Sequence, residues 1–222
     1  MRENILALDA STYAASVAIL DGKTIVRERT VAMRDPRQER LMPAVADALG
    51  EGGLALIDRI VCGAGPGSFT SLRIAASIAK GLAVASGRPL FAVSSLALLL
   101  AGVEGGPPEG RWIALLDAMR GESFTQVFDV KPDGEISEAS EVRVVRDEEV
   151  VALARSMGAR TAGRGRDLEA APHARGIARL GGHRSLQAPV DLVSWEPDYG
   201  PLAGAQVGWE AVHGRVLDAR SR

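Results

Sequence analysis

The fold is decided by the stretch Ile5-Leu-Ala-Leu-Asp-Ala-Ser-Thr-Tyr-Ala-Ala-Ser-Val-Ala-Ile-Leu-Asp-Gly-Lys-Thr-Ile-Val26. Its two apolar runs, 5–8 and 17–20, have the length and composition of buried strands. The pair Asp21-Gly22 follows the second run and accommodates the positive φ angles of a tight type I′ turn. An extended segment restarts at Thr24. The stretch therefore predicts three antiparallel strands.

Helix and strand patterns alternate after this meander. Leu41, Val45 and Leu49 recur at every fourth position and indicate a helix that glycines bring to an end. In order, the chain predicts a helix over 37–50, a strand over 59–62, a helix over 68–86 closed by Gly87, a strand over 89–93 and a helix that begins near Ser94 or Ser95. The order is βββαβαβα, in which helical crossovers add parallel strands to an antiparallel start.

This order is that of one lobe in the actin, sugar-kinase and Hsp70 superfamily, a likeness of fold alone. The Gly/Pro-rich stretch 102–110 marks a boundary, so we predict an N-terminal actin-like lobe over 1–103 and a smaller lobe over 104–222. Little periodicity remains over 163–192, and the second lobe is expected to be abbreviated. Its predicted elements are strands over 112–116 and 124–130, a turn over 132–134, a helix over 150–157, a strand end at 161–162 and a last helix over 202–217.

Composition narrows the class of protein. The chain has 222 residues, of which 46% are hydrophobic and 24% charged, as expected for a folded protein rather than a disordered one. A formal charge of −2 argues against a protein that holds nucleic acid by electrostatics alone. A single cysteine, no secretory signal and no apolar run of about 20 residues favour a cytoplasmic protein without a membrane span.

The histidines argue against hydrolytic chemistry. His173, His183 and His213 all lie in the last quarter of the chain and lack metal-ligand spacing. A Ser-His-Asp or Cys-His site in the first half would need a histidine from far away. Cys62 lies in an apolar run and is expected to be a buried strand thiol. A peptidase is therefore the least favoured class of function.

Three loops could bind a nucleotide. Gly63-Ala-Gly-Pro-Gly-Ser-Phe-Thr-Ser-Leu-Arg73 is a glycine-rich turn between a strand and a helix, where backbone N–H groups can cradle phosphate. It matches neither the Walker nor the dinucleotide pattern, so a simple tight turn is the alternative. The stretch Asp9-Ala-Ser-Thr12 and residue Asp117 each follow a predicted strand, and their carboxylates and hydroxyls can hold phosphate or its magnesium. The candidate phosphate-loop residues are Asp9, Ser11, Thr12, Gly65, Gly67, Ser68 and Asp117.

Two further stretches could bind a partner. The helix over 68–86 is apolar on two faces and its charges are Arg73 and Lys80, so either another part of the chain or a partner covers its second face. The arginine-rich stretch 155–184 has no aromatic ring for base stacking. Phosphate contacts to RNA and a solvated face both remain open for it.

Several motifs together resemble the TsaB family, also called YeaZ. They are Ile5-Leu-Ala-Leu-Asp-Ala-Ser-Thr12, Ser16-Val-Ala18, the glycine-rich motif 63–73, Lys80-Gly-Leu-Ala83, Val93-Ser-Ser-Leu96, Leu116-Asp-Ala118, Glu122 and, faintly, Glu196-Pro-Asp-Tyr199. The chain lacks the N-terminal histidine pair and the length of the paralogous transferase TsaD. Other departures are Arg37 and Gln38 where members carry His-Ser, Met119 where they carry arginine after Asp-Ala, and Gly200-Pro201 where an arginine follows Pro-x-Tyr.

The resemblance implies a catalytically silent, two-lobed, actin-like protein that helps to make threonylcarbamoyladenosine in tRNA. Its implied partners are TsaD, which binds the metal and transfers the threonylcarbamoyl group, the ATPase TsaE, and tRNA through the complex. ATP and metal are expected on the partners, with no cofactor on this chain. In the family the first two helices contact TsaD, or a second copy in a homodimer. The corresponding residues are Leu41, Val45, Leu49, Leu72, Ala75, Ala76, Ala79, Leu82 and Ala83.

Two hypotheses from different classes follow. The first is a non-catalytic scaffold that binds and supports the transferase through those helices. The alternative is an ATP-dependent phosphotransferase that uses Asp9 and Asp117 on magnesium and residues 65–68 on phosphate.

Overall fold

The structure is a computed structural model that describes residues 3–33 and 40–200. The elements of the first lobe are β1 (Asn4–Asp9), β2 (Ala14–Asp21), β3 (Thr24–Ala32), α1 (Leu41–Leu49), β4 (Arg59–Gly63), α2 (Phe69–Ser86), β5 (Leu90–Val93) and α3 (Ser95–Ala101). Its strands form a sheet in the order β3-β2-β1-β4-β5, with β1 antiparallel to β2 and parallel to β4. The predicted order βββαβαβα is confirmed.

The ends of these elements follow their sequence signals. Gly22 has a φ of 61° in the hairpin between β2 and β3, and Gly87 ends α2 in the left-handed conformation with a φ of 68°. A 3-10 helix, Gly50–Leu56, continues directly from α1 and was not predicted. The predicted start of the first helix, at residue 37, lies outside the described residues.

The elements of the second lobe are β6 (Gly110–Met119), β7 (Glu122–Val130), β8 (Ile136–Glu138), β9 (Arg143–Arg146), α4 (Val150–Met157), β10 (Arg160–Gly163) and β11 (Leu168–Glu169). The second sheet has the order β11-β10-β6-β7-β8, and β9 also pairs with β7. Sequence patterns predict β6, β7, α4 and β10, but not the short strands β8, β9 and β11. The last predicted helix, 202–217, lies outside the described residues.

Helix α3 lies at the centre of the molecule. All of its seven residues are buried, which requires apolar neighbours on every side. One hydrophobic cluster contains α3 together with Ala18 of the first sheet and Trp112 and Phe128 of the second. The two sheets therefore share a core through this helix.

The chain returns to the first lobe after β11. Ala174 N donates to Ser16 Oγ at 2.9 Å, and Val190 N donates to Leu90 O at 2.8 Å. Two 3-10 helices, Ala174–Ala178 and Arg184–Leu186, lie in this returning segment. The first sheet ends with β5 and the second begins with β6, while residues of the predicted second lobe also pack on the first sheet. Among the described residues, no helix is both long and apolar enough to cross a membrane.

Candidate functional site

The first strand ends in an enclosed carboxylate. Asp9 is fully buried, and its Oδ1 accepts hydrogen bonds from Ser11 N at 3.0 Å and Ser11 Oγ at 2.8 Å. Its Oδ2 accepts a hydrogen bond from Ser95 Oγ, at the start of α3, at 2.6 Å. Burial raises the pKa of Asp9 above its ordinary value, and the hydrogen bonds from Ser95 and Ser11 oppose that rise. Both carboxylate oxygens are thus occupied by groups of the same chain.

Glycine at position 63 makes room for this carboxylate. A Cβ atom built on Gly63 would overlap with Asp9 Oδ2. Since Gly63 is the last residue of β4, which pairs with β1, any larger side chain would push the two strands apart. The first glycine of the motif therefore serves packing.

Two backbone amides at the centre of the glycine-rich loop already have partners. Gly65 N donates to Ser95 Oγ at 3.1 Å, and Ser68 N donates to Ser11 O at 2.7 Å. Gly67 has a φ of 155°, and a Cβ atom there would overlap with Ser11 O. The loop is a tight turn packed on the end of β1, which favours the simpler of the two sequence interpretations.

A strap formed by residues 196–200 crosses this loop. Asp198 N donates to Ala64 O at 2.7 Å, and a Cβ atom on Gly65 would overlap with Asp198 O. At Gly200, where φ is 75°, a Cβ atom would overlap with the ring of Phe124 in β7. The strap therefore lies between the glycine-rich loop of the first lobe and the sheet of the second.

The structure gathers five of the seven candidate phosphate-loop residues: Asp9, Ser11, Gly65, Gly67 and Ser68. The other two stabilise local turns. Thr12 Oγ1 donates to Ala14 O at 3.0 Å. Asp117 is exposed and accepts a hydrogen bond from Met119 N at 2.7 Å, and Met119 and Arg120 have φ angles of 70° and 60° in the β6–β7 turn. Asp117 thus shapes its own hairpin.

Most of the partner residues predicted from the sequence are buried within the chain itself. Leu41, Val45, Leu72, Ala75 and Ala79 are 0% exposed within the chain itself. All of these except Leu72 belong to the cluster that covers the first sheet, because α1 and α2 must bury one apolar face each against it. Leu82 and Ala83 are buried in the same cluster, Leu49 is half-buried against it, and Ala76 is buried. In the isolated chain these side chains contribute to its own packing, so a partner would meet the neighbouring exposed positions of the two helices first.

The opposite face of α2 is open. It forms a cavity of about 510 Å³, here called the outer groove. Ile74 and Ile78 are half-buried there, while Thr70, Arg73 and Ser77 are exposed. The groove is lined by Phe69, Thr70, Arg73, Ile74, Ser77 and Ile78. This surface is the second apolar face that the sequence indicated.

An aromatic and cationic cluster closes one end of the groove. The Arg73 guanidinium carbon lies 4.1 Å from the centroid of the Phe69 ring and 5.5 Å from that of Tyr199. Arg73 Nε donates to Tyr199 Oη at 3.3 Å, and the two rings lie 4.7 Å apart. Tyr199 had no predicted role, and the feature of the sequence that marks it is the faint family motif 196–199.

Most of the arginines in the stretch 155–184 make contacts within the chain. Arg160 lies over the Trp112 ring at 4.0 Å, and Arg179 donates to Ala101 O at 2.8 Å. Three others form ion pairs: Arg166 with Asp147, Arg175 with Glu28, and Arg184 with Glu138. These contacts favour a structural role over a phosphate-binding surface.

The histidines and the cysteine also have structural roles. His173 Nδ1 accepts a hydrogen bond from Arg175 N at 3.1 Å, and burial lowers the pKa of His173. His183 lies 3.5 Å from Glu138, and Cys62 is buried in β4. His213 lies outside the described residues. In residues 3–33 and 40–200, no three His, Cys, Asp or Glu side chains are grouped to hold a metal ion.

The two sheets, their shared helix α3 and the hairpin that opens each lobe define a two-lobed, actin-like α/β protein. The family model described as TsaD, tRNA N6-adenosine threonylcarbamoyltransferase, matches residues 32–178. A solved structure, YeaZ from Pseudomonas aeruginosa, is 29% identical, with a TM-score of 0.74 over 89% of this chain and 100% of that one.

Two curated relatives carry the name "tRNA threonylcarbamoyladenosine biosynthesis protein TsaB". The Bacillus subtilis protein is 36% identical over 57% of this chain, and the Escherichia coli protein is 34% identical over 66%. The matched stretches span 56% and 64% of those relatives' own lengths. The chain belongs to the TsaB (YeaZ) family.

Proposed function

We propose that the protein is a non-catalytic subunit in threonylcarbamoyladenosine formation on tRNA, where it binds a TsaD-type transferase and supports its activity. The names of the relatives support the pathway. The observation that supports the non-catalytic role is that Asp9 and the loops around it form their hydrogen bonds with one another.

A phosphotransferase must offer carboxylate oxygens to magnesium and amides to phosphate. Here Asp9 uses both oxygens within the chain, and the amides of Gly65 and Ser68 donate to Ser95 and to the backbone of Ser11. A nucleotide could bind only after these buried hydrogen bonds were broken, and each buried polar group left without a partner costs about 1–3 kcal/mol.

The outer groove supplies the proposed partner surface. Its apolar floor, Ile74 and Ile78, would be covered by a helix of the transferase. A second copy of the chain would compete for the same face, which accounts for the possible homodimer. TsaE and tRNA would join through the complex, ATP and metal would be held by the partner proteins, and the assembly would work in the cytoplasm.

The test is reconstitution with the TsaD and TsaE proteins of the same organism. The full chain is mixed with both, with ATP, bicarbonate, threonine and tRNA, and modified nucleoside is measured by mass spectrometry. We expect a complex with the transferase, modification that depends on this chain, and no ATP turnover by this chain alone.

The contrary result also has a defined form. Modification that proceeds equally well without the chain would contradict the proposal. ATP turnover by the isolated chain that is lost in Asp9→Ala, with normal folding of that variant, would favour the phosphotransferase instead.

A further inference from the structure

We infer that Arg73 is a charge anchor for the partner: its guanidinium pairs with a carboxylate carried by the partner helix that occupies the outer groove, and Tyr199 positions it. This inference rests on the proposed function, because it concerns the specificity of the same surface.

Arg73 is exposed but held in place. Its guanidinium stacks on Phe69 at 4.1 Å, and its Nε donates to Tyr199 Oη at 3.3 Å. An exposed arginine ordinarily samples many rotamers, and ordering it on binding costs free energy. Since the strap and the start of α2 already fix this side chain, that cost is largely met in the unbound protein.

The terminal nitrogens of Arg73 indicate which chemical group the partner contributes. Within the described part of the chain, the Arg73 guanidinium makes a single hydrogen bond, from Nε to Tyr199 Oη. No acidic side chain there forms an ion pair with it. A guanidinium donates two parallel hydrogen bonds to a carboxylate. As far as residues 3–33 and 40–200 are concerned, Nη1 and Nη2 are therefore available for an aspartate or glutamate.

The groove fits a helix as the carrier of that carboxylate. Ser77 is small, and Gly81 has open space where a Cβ atom would be, so a second helix can approach α2 closely. Ile74 and Ile78 would be covered by small and apolar side chains of the partner. The acidic residue would lie at the end of the groove nearest the strap.

Charge favours a different protein over a second copy. The charged residues of α2, Arg73 and Lys80, are both positive, so symmetric packing of two α2 helices would bring like charges together. The acidic residue of α1, Asp47, is already paired with Arg29. A second copy thus offers no unpaired carboxylate from α1 or α2.

The inference is tested by measuring the dissociation constant between the full chain and the TsaD protein of the same organism. Arg73→Glu is expected to weaken binding about 100-fold. Tyr199→Phe keeps the ring but removes the acceptor for Nε, and is expected to weaken binding about fivefold. Arg155→Glu makes the same charge change on exposed α4 and is the matched control, expected to bind normally.

Salt dependence separates an anchor from a structural role. Binding of the unaltered chain is expected to weaken more steeply with KCl than binding of Arg73→Gln, because salt screens the exposed part of the ion pair. An Asp or Glu to Arg substitution in the transferase helix is expected to restore binding to Arg73→Glu.

Each outcome decides between the proposals. No binding by the unaltered chain would overturn the proposed function and this inference with it. Binding that Arg73→Glu and Arg73→Gln leave unchanged, with unchanged salt dependence, would overturn the anchor alone. An effect of Arg73→Glu on self-association in sedimentation, without an effect on transferase binding, would assign the groove to a second copy and also overturn it.

Discussion

Ser95 Oγ donates a 2.6 Å hydrogen bond to Asp9 Oδ2 and accepts a 3.1 Å hydrogen bond from Gly65 N. One hydroxyl thus joins the end of β1, the start of α3 and the glycine-rich loop. The three segments are far apart in sequence and converge because β1, β4 and β5 lie side by side in one parallel arrangement. The space between these three segments is therefore filled by groups of the chain itself.

The first prediction concerns the pH dependence of stability. Burial raises the pKa of Asp9 above its ordinary value of 3.8 in the folded state. The contribution of this group is fully present below pH 3.8 and is lost as the pH rises through the folded-state pKa. Asp9→Asn removes the titration. The free energy of unfolding of the unaltered chain minus that of Asp9→Asn should therefore fall as the pH rises above about 4, with a slope of at most about 1.4 kcal/mol per pH unit.

Melting curves in matched buffers check this sign. A difference that stays constant with pH, or that grows as the pH rises, would show that Asp9 is ionised without penalty in the folded protein.

Glycine substitutions test how tightly the loop is packed. Gly65 has a φ of 96°, and a Cβ atom there would overlap with the backbone of Asp198. Gly65→Ala should therefore lower the free energy of unfolding by about 3 kcal/mol or more. Gly81 lies within α2 with no atom near its Cβ position, so Gly81→Ala should raise it by about 0.5–1 kcal/mol. Urea titration of both variants measures the contrast; equal effects would contradict it.

The order of elements could be predicted because its signals are local. The apolar runs 5–8 and 17–20, the Asp21-Gly22 turn and Gly87 each act on their own neighbourhood, and the structure confirms them. The short strands β8 and β9 carry no comparable signal. They form because β7 offers them a pairing edge, which is a tertiary effect.

The two faces of α2 show why the partner surface was harder to predict than the order of elements. Alanines and isoleucines surround the helix, so its pattern indicates two apolar faces without saying which one covers the sheet. The structure buries Ala75 and Ala79 in the core, while Ile74 and Ile78 are half-buried: they pack against the edge of that core and also line the outer groove. The strap is a long-range contact of the same kind, since nothing near Tyr199 in sequence indicates Phe69 or Arg73.

Cys62 should be unreactive in the folded protein. Its thiol is fully buried, and burial, followed by the nearby negative charge of Asp9, raises its pKa far above the ordinary value. We expect no reaction with a disulfide reagent such as DTNB at pH 8 until the chain unfolds, and one equivalent of reaction in denaturant. Rapid reaction in buffer alone would mean that β4 opens readily.

A matched pair of substitutions in α2 distinguishes the core from the partner surface. Ala79 is 0% exposed against the first sheet, so Ala79→Arg would bury an unpaired charge and should lower the free energy of unfolding by roughly 4 kcal/mol or more. Ser77, two positions away, is exposed in the outer groove, and Ser77→Arg should change that free energy by less than about 0.5 kcal/mol.

The same Ser77→Arg variant should weaken binding to the transferase at least about tenfold, because the long side chain fills the space that a partner helix needs. Thermal unfolding and a pull-down with the transferase measure both effects, and normal binding by well-folded Ser77→Arg would remove the outer groove from the proposed interface.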